Sequence, residues 1–464
     1  MKTILIRGGR IIDPSQGIDR IADLLLSKGV VKGLADHIDP PDGAAVIDAT
    51  GMVVSPGFID LHCHLREPGF EYKETIATGT LAAARGGFTT VCAMPNTSPT
   101  MDTRATVDFV MRMAREEGAV RVLPIGCITK GSKGKELAEM GELAEAGAIG
   151  FSDDGHPVAD SNVMRQALSY SSVYGLPIID HCEAPDLFRD GVMNEGWVSN
   201  HLGLRGVPNS AEDVMVARDI ALAELTGGRL HLAHVSTAGA VQAVRDAKER
   251  GLNVTCEVTP HHLTLTDRAV LGRFGDGVPG EFDPLTPVAY DTNAKVNPPL
   301  RGQKDVDAMV QALADGVVDV IATDHAPHST VEKLCTFDEA DFGISGLETA
   351  LGSVMSLVHS GKITLPALVE RLTIAPARFL LASSASIDHR LGTLKEGAPA
   401  DVTVFDPDAE WRVDPTEFAS KGKNTPLAGA TLRGRVVATV VGGEVRHNQE
   451  DSALGQAVRK GRRV

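Results

Sequence analysis

The fold is decided by the stretch Gly57-Phe58-Ile59-Asp60-Leu61-His62-Cys63-His64-Leu65-Arg66. An apolar run ends there in two histidines separated by one residue. Because side chains alternate along a strand, His62 and His64 point to the same side. Two imidazoles on one side of a strand end can bind one metal ion. An isolated pair of histidines is more often a feature of an exposed turn, so the rest of the chain has to supply further ligands.

Four further apolar runs each stop at a histidine or an aspartate. They are Ile149–Asp154, Ile178–His181, Leu230–His234 and Val320–Asp324. Each such residue alone has a plainer interpretation, as a buried hydrogen-bonded histidine or as an aspartate in a turn or a helix cap. That interpretation suits His231, His261 and His262. Five strand ends with a metal-ligating residue type favour a metal site over coincidence.

The composition limits the class of partner. The chain has 464 residues and a formal net charge of -16, with a sequence pI near 5.4. Nucleic acid and anionic membrane surfaces repel such a protein, so we expect neither as the main partner. An anionic small molecule would need local positive charge, which metal ions and a few arginines can provide. The length predicts one large barrel with an appended unit, or two domains.

The cysteines predict a reducing compartment. They are Cys63, Cys92, Cys127, Cys182, Cys256 and Cys335. They contain no CxxC pair, which is typical of reduced thiols in a large chain. No apolar run approaches the length of a transmembrane helix, and the first residues lack the apolar core of a signal peptide. We therefore expect a soluble, cytoplasmic protein.

The pattern of apolar residues divides the chain into three parts. Residues 1–55 contain short strands between Gly and Asp/Pro turns, and residues 390–464 return to this pattern. Neither end buries much surface alone, so we expect the two to form one small β-sandwich domain. Residues 56–389 alternate apolar strands with amphipathic helices, which indicates βαβ units and a parallel sheet.

The central part contains eight candidate strands. They are Gly57–His62, Thr89–Ala93, Val120–Cys127, Ala148–Ser152, Pro177–His181, Leu230–His234, Asn253–Val258 and Val318–Thr323. Helical patterns lie between them, for example in Arg104–Glu117 and Ala238–Glu249. This α/β alternation favours a closed (β/α)8 barrel of the TIM type, with a doubly wound open sheet as the alternative. The long connection Asp267–Ala294 is expected to be either a lid or a disordered insertion.

A barrel of this kind gathers polar side chains from the carboxyl ends of its strands at one mouth. The mouth would hold His62, His64, Asp153 or Asp154, His181, His234 and Asp324. Imidazoles with a few carboxylates suit zinc better than magnesium, which prefers oxygen ligands. These ligands exceed what one tetrahedral ion with an open position takes. Two ions roughly 3.5–4 Å apart, bridged by a carboxylate, fit better.

Six motifs spread across the barrel are more specific than the ligand set. They are His62–Gly69 (HCHLREPG), Met94–Thr97 (MPNT), Phe151–Gly155 (FSDDG), Val258–Leu263 (VTPHHL), Lys295–Arg301 (KVNPPLR) and Thr323–His328 (TDHAPH). Together they resemble the motifs of the cyclic amidohydrolases and, more narrowly, of the bacterial type I dihydroorotases. The combination of HxHxREPG, MPNT and NPPLR points beyond the superfamily to the narrower family.

The resemblance implies a role for each candidate residue. The implied zinc ligands are His62, His64 and Asp324 for one ion, His181 and His234 for a second, and Asp154 between them. Hydantoinase-like and allantoinase-like relatives carry a carboxylated lysine in place of Asp154. One or two zinc ions per chain agree with the resemblance, and the ligand number favours two. The implied substrate-binding residues are His64, Arg66, Asn96, Asn297, His328, Phe342 and Gly343, with Arg66 as a bidentate clamp for a carboxylate.

The resemblance also implies a reaction, the interconversion of N-carbamoyl-L-aspartate and (S)-dihydroorotate plus water in pyrimidine biosynthesis. Water activated by the metal would attack the ring amide, and Asp324 would carry its proton to the departing nitrogen. A hydantoinase or allantoinase is disfavoured by Arg66 and by the absence of a lysine in Ile149–Asp154. The full ligand set disfavours an inactive scaffolding homologue. The sequence leaves open whether the chain forms a homodimer or associates with aspartate transcarbamoylase.

Overall fold

The computed structural model describes residues 3–272, 289–382, 388 and 390–449. Its strands are β1 Ile4–Asp13, β2 Ile18–Ser27, β3 Val30–Ala35, β4 Ala45–Asp48, β5 Val53–Pro56, β6 Phe58–Cys63, β7 Phe88–Ala93, β8 Arg121–Pro124, β9 Ile178–Asp180, β10 Met193–Asn194, β11 Gly206–Val207, β12 Leu230–Leu232, β13 Val254–Val258, β14 Val320–Ile321, β15 Val402–Arg412, β16 Thr431–Val441 and β17 Glu444–Asn448. Residues 273–288, most of the predicted lid or insertion at Asp267–Ala294, lie outside the described residues.

The α-helices follow most barrel strands. They are α1 Ile76–Arg85, α2 Arg104–Glu117, α3 Met140–Ala146, α4 Ser161–Ser172, α5 Pro185–Phe188, α6 Trp197–Leu202, α7 Ser210–Thr226, α8 Ala238–Glu249, α9 Pro260–Thr264, α10 Gln303–Ala314, α11 Thr330–Lys333, α12 Ala350–His359, α13 Leu365–Leu372 and α14 Ile374–Leu381. Short 3-10 helices occupy Lys130–Ser132, Asp267–Leu271, Thr292–Ala294 and Pro415–Glu417. None of these helices combines the length and apolar character needed to span a membrane.

Parallel strands close into a ring. Strands β6, β7 and β8 pair in that order, and β9, β12, β13 and β14 form a second group. Phe151 joins the groups through single bridges to Gly126 and Ile178, and Cys63 closes the ring by a bridge to His325. The predicted (β/α)8 barrel is confirmed. In the fourth predicted strand, Ala148–Ser152, backbone N–H groups donate to both neighbours: Ile149 and Ser152 bond to Pro124 and Gly126, and Phe151 bonds to Pro177.

The barrel strands are buried on both faces. Ile59, Ile179 and Val320 belong to an interior apolar cluster that also contains Ala377 of helix α14. Phe58, the neighbour of Ile59 in β6, belongs instead to a larger outer cluster shared with the surrounding helices. Parallel strands covered on both faces have no polar side, which is why they read in the sequence as continuous apolar runs.

Side-chain caps fix where several helices begin. Thr103, Asp160 and Thr237 each accept bonds from first-turn N–H groups, at α2, α4 and α8. A cap of this kind stabilises a helix by about 1 kcal/mol because it satisfies a donor that the helix leaves free. Helices α2 and α8 have the predicted bounds, Arg104–Glu117 and Ala238–Glu249.

Both chain ends build a second unit, as predicted. Its strands lie in the order β17-β16-β15-β5-β1-β2-β3, and β4 pairs with β1. The N-terminal and C-terminal strands meet where β5 pairs antiparallel with β15, with Val54 opposite Val404. One face covers a separate apolar cluster that includes Ile6, Leu24 and Val402. The sheet therefore holds the two ends of the chain together beside the barrel.

Candidate metal centre and substrate cavity

The six predicted metal ligands lie together at the carboxyl ends of the barrel strands. His62 lies in β6 with His64 just after it, Asp154 follows the bridged Phe151, and His181, His234 and Asp324 follow β9, β12 and β14. All six side chains are buried. The closed ring thus brings distant parts of the sequence to one place.

His62, His64 and Asp154 form the first ligand group. Nε2 of His62 and Nε2 of His64 lie 3.5 and 3.4 Å from the two carboxylate oxygens of Asp154. Oδ1 of Asp324 lies 3.4 and 3.1 Å from the same two nitrogens. Two imidazoles and two carboxylates therefore face one another closely enough to share a cation.

Asp154, His181 and His234 form the second ligand group. Oδ1 of Asp154 lies 3.8 Å from Nδ1 of His181 and 3.4 Å from Nε2 of His234. In each of the two groups the ligand atoms lie within 4.8 Å of one another. Asp154 belongs to both groups, which is the position expected of a bridging carboxylate.

Asp153 faces a different environment from Asp154. Its Oδ1 accepts hydrogen bonds from the backbone N–H groups of Ile128 and Thr129, at 2.8 and 3.0 Å. Burial raises the pKa of Asp153 to about 6, although these bonds partly offset the effect. Asp153 therefore holds the strand end in place, and Asp154 is the aspartate that lies among the imidazoles.

The donor set fits a divalent cation. Nε2 of His62 and Oδ1 of Asp154 are buried, and neither has a hydrogen-bond partner among the described residues. Buried polar atoms are normally satisfied, and imidazole nitrogen and carboxylate oxygen are ordinary zinc ligands. Burial by itself lowers the pKa of His181, but Glu183 and Asp154 outweigh it and raise the value to about 9. The cluster therefore favours positive charge at its centre.

Acceptor oxygens orient the two imidazoles of the first group. Oε1 of Glu257 lies 2.6 Å from Nδ1 of His62, and Oδ1 of Asn96 lies 2.8 Å from Nδ1 of His64. A ring nitrogen that donates to an oxygen leaves the other nitrogen free to bind a metal. Burial raises the pKa of Glu257, but the charge of His62 and the bonds from His231 and His62 lower it to about 2. Glu257 was not predicted; its signal in the sequence is a lone carboxylate in strand β13.

Three of the predicted site residues have strained backbones. Arg66, His234 and Asp324 have φ values of 62°, 31° and 45°, in the left-handed region that non-glycine residues rarely adopt. Such conformations cost about 1–3 kcal/mol each and are concentrated at functional sites. The strain is consistent with a site that places these side chains at the expense of backbone stability.

A cavity of about 280 Å³ opens beside the ligand groups. Its lining includes all the predicted substrate-binding residues, which are His64, Arg66, Asn96, Asn297, His328, Phe342 and Gly343. Nε of Arg66 donates to the carbonyl oxygen of Pro327 at 3.2 Å, and one Nη atom lies 3.3 Å from Nε2 of His328. Arg66 is half-buried at the cavity and forms no ion pair with a carboxylate of the described residues. An anion in the cavity would therefore meet an unneutralised guanidinium.

Comparisons with known proteins identify the family of this chain. A family model described as Dihydro-orotase-like matches residues 51–240. The dihydroorotase of Geobacter metallireducens is 51% identical over 442 residues, which cover 95% of this chain and 99% of the relative. The dihydroorotase of Pelotomaculum thermopropionicum is 53% identical over 443 residues, which cover 95% and 98%. This chain belongs to the dihydroorotase family. It is accordingly an enzyme of the cyclic amidohydrolase class.

A solved structure shows the same fold as this dihydroorotase-family chain. The L-hydantoinase of Arthrobacter aurescens superposes with a TM-score of 0.81 and covers 96% of each chain at 25% identity. At that level of identity the agreement in fold is much stronger than the agreement in sequence. The barrel and the sheet built from the chain ends are therefore features that the two proteins share.

Two polar residues beside His328 in this dihydroorotase-family chain, Asp341 of the cavity wall and Lys73, were not predicted. Oδ2 of Asp341 lies 3.1 Å from Nδ1 of His328 and 3.0 Å from Nζ of Lys73. Nε2 of His328 lies 2.7 Å from the carbonyl oxygen of Phe342. Burial lowers the pKa of His328 to about 4, and the charge of Arg66 acts in the same direction. His328 is therefore neutral at pH 7, and Arg66 supplies the positive charge beside it. Asp341 and Lys73 carry no sequence signal because both lie outside the strand ends.

Proposed function

We propose that this chain is a zinc-dependent dihydroorotase, which interconverts N-carbamoyl-L-aspartate and (S)-dihydroorotate plus water in pyrimidine biosynthesis. The observation that carries the proposal is that one cavity is lined by the guanidinium of Arg66 and by residues of both ligand groups, Asp154 among them. A cyclic amide with a carboxylate matches this pairing, because its carboxylate can bind Arg66 while its ring amide lies at the metal centre. The dihydroorotases that are about half identical over almost the whole chain support the same substrate.

Two zinc ions are the cofactors that we propose. His62, His64 and Asp324 would hold one ion, His181 and His234 would hold the other, and Asp154 would lie between them. Bound zinc lowers the pKa of a water ligand towards neutrality and polarises the carbonyl of the ring amide. The nitrogen-rich donor set supports zinc over magnesium, which prefers oxygen ligands.

Asp324 is the proposed carrier of the proton. Burial by itself would raise its pKa, but the neighbouring imidazoles of His64 and His62 hold the pKa well below its usual range. The carboxylate is therefore ionised at neutral pH. It can accept the proton of the attacking water and then deliver it to the departing amide nitrogen, as a general base that becomes a general acid.

Arg66 is the proposed anchor of the substrate. Its planar guanidinium can bind a carboxylate with two parallel hydrogen bonds, which fixes direction as well as distance. Asn96 and His328 stand beside it in the cavity wall and would contribute further contacts to the same carboxylate. Asn297 and the backbone of Phe342 and Gly343 would contact the ring.

A comparison of substrates tests the proposed function. The purified, zinc-loaded enzyme would be assayed on dihydroorotate, hydantoin and allantoin under identical conditions. We expect dihydroorotate to have the highest kcat/KM, because hydantoin and allantoin have no carboxylate for Arg66. A preference for hydantoin or allantoin would instead support the hydantoinase-like function, and no turnover together with no bound zinc would support the scaffolding one.

We further propose the domain boundaries, location and assembly of the enzyme. Residues 1–55 and 390–464 would form the sheet domain and residues 56–389 the barrel, which agrees with β5 ending at Pro56 and β6 beginning at Phe58. A cytoplasmic location is supported by six free cysteines, five of them buried. The choice between a homodimer and an association with aspartate transcarbamoylase would be tested by light scattering with and without that enzyme.

A further inference from the structure

The imidazole of His181 has an unexpected neighbour on the side away from the ligand group. Its Nε2 lies 3.2 Å from Nδ2 of Asn297, which is a hydrogen-bond donor. The corresponding nitrogens of His62 and His64 face acceptor oxygens instead, from Glu257 and Asn96. Asn96 and Asn297 thus present opposite ends of the same amide group to their histidines.

This arrangement conflicts with metal binding by His181. Its Nδ1 is the nitrogen that faces the second ligand group, 3.0 Å from Nε2 of His234 and 3.8 Å from Oδ1 of Asp154. A neutral imidazole carries one proton, so a lone pair on Nδ1 requires the proton on Nε2. That N–H would then point at the NH2 group of Asn297, and two donors would face each other.

The other end of the Asn297 amide shows how the conflict is resolved. Oδ1 of Asn297 is buried and has no hydrogen-bond partner among the described residues. A half-turn of the amide exchanges Oδ1 and Nδ2 with almost no change of shape. The turned oxygen would accept from Nε2 of His181, so one rotation removes both the facing donors and the unsatisfied oxygen.

We infer that Asn297 is a positioning residue for His181, and that in the metal-loaded enzyme its amide oxygen, not its nitrogen, faces Nε2 of His181. The inference rests on the proposed metal centre. The turned NH2 group takes the place of Oδ1, a position that makes no hydrogen bond among the described residues. Because Asn297 lines the cavity, a carbonyl oxygen of the cyclic amide substrate is the acceptor that matches it. Asn297 would therefore contact both His181 of the second ligand group and the ring of the substrate, and so connect zinc binding with substrate binding.

Glu183 is the competing partner for the same nitrogen. Its Oε2 lies 3.8 Å from Nε2 of His181, which is beyond hydrogen-bond distance. A small side-chain movement would bring it within reach, so its contribution has to be measured rather than assumed. Glu183→Gln is therefore the matched control, because it changes one polar group beside the same imidazole ring of His181.

Three variants test the inference: Asn297→Asp, Asn297→Ala and Glu183→Gln. The metal-free proteins would be titrated with zinc in competition with a chelator, which gives the affinity of each ion. We expect Asn297→Ala to weaken the binding of one of the two zinc ions about 10-fold. This is the lower end of the range for removal of a hydrogen-bond partner of a metal ligand. Asn297→Asp, which keeps an acceptor oxygen, retains an affinity within about 3-fold of wild type or above it, and Glu183→Gln changes the affinity less than Asn297→Ala does. Both Asn297 variants raise KM for dihydroorotate more than they lower kcat, because neither has the N–H donor.

The outcomes separate this inference from the proposed function. Equal zinc affinity in wild type and Asn297→Ala overturns the inference, and so does equal weakening in Asn297→Asp and Asn297→Ala. A loss of affinity in Glu183→Gln alone assigns the role to Glu183 and overturns it as well. A wild-type enzyme that binds no zinc contradicts the proposed metal centre itself, whereas a zinc-dependent wild type with unaffected variants contradicts only the role of Asn297.

Discussion

Oε1 of Glu257 lies 2.6 Å from Nδ1 of His62, and the two buried side chains join the barrel core to the first ligand group. The other carboxylate oxygen lies 3.2 Å from Nε2 of His231, so one acid orients two histidines of different strands. Buried ion pairs add little to stability on balance, but they can fix the orientation of a metal ligand. We therefore expect Glu257 to support metal binding by orienting His62.

We expect Glu257→Gln to weaken zinc binding about 10-fold, because the neutral amide polarises His62 less than a carboxylate does. Chelator competition on the purified variant measures this. Glu212→Gln is the matched control, since Glu212 is equally buried but accepts from the backbone of Ser236 at 2.8 Å and contacts no ligand. Equal affinities for the two variants would contradict the role of Glu257.

The same carboxylate predicts an acid-sensitive stability. The folded protein lowers the pKa of Glu257 from its ordinary 4.5 to about 2, so the unfolded chain binds the proton more readily. The pH-dependent part of its contribution to the free energy of unfolding, about 3 kcal/mol, is present above pH 4.5 and is lost as the pH falls towards 2. Urea unfolding of the metal-free protein between pH 5 and pH 2 should show a steeper loss for wild type than for Glu257→Gln. Parallel pH profiles would rule out this contribution.

Removal of the Arg66 guanidinium should chiefly impair binding of a charged substrate. Hydrogen bonds to charged groups contribute about 1.5–3 kcal/mol, so Arg66→Ala is expected to raise KM for dihydroorotate about 10- to 150-fold with a smaller change in kcat. Slow turnover of hydantoin, which has no carboxylate, should change much less. If Arg66→Ala lowers kcat/KM by the same factor for both substrates, Arg66 acts on the site as a whole and does not bind a carboxylate.

Asp324→Asn should remove the proton carrier and retain the size of the side chain. General acid–base groups contribute about 10²- to 10⁴-fold, and we expect kcat to fall within that range. Zinc content measured on the same preparation distinguishes a lost base from a lost ligand. A variant with full zinc content and a rate near that of wild type would exclude Asp324 from the mechanism.

Much of the barrel was predictable because its strands are buried on both faces. The apolar run at Gly57–His62 and its counterparts identify the strands, and the polar residue after each run marks the mouth. The run Ala148–Ser152 looks like the others, and its backbone is hydrogen-bonded to both neighbouring strands. Beyond this run, the backbone N–H groups of Ile128 and Thr129 donate to the side chain of Asp153 instead of to a neighbouring strand. A side chain that replaces a ladder bond leaves no trace in an apolar pattern.

The less predictable parts of the site depend on the tertiary structure. From the residues alone, Asp153 and Asp154 were equivalent, and only the placement of the neighbouring strand separates them. Glu257 and Asp341 orient His62 and His328 from distant segments. Their roles arise from contacts across the barrel, which neither periodicity nor spacing along the chain encodes.

The central claim is that the gathered imidazoles and carboxylates hold zinc and that this zinc is needed for turnover. The most direct test is to titrate the metal-free enzyme with zinc and follow the hydrolysis of dihydroorotate at each step. We predict no turnover without zinc, and a rate that rises with added metal and reaches its plateau at two equivalents per chain. Full turnover in the metal-free protein would contradict the claim.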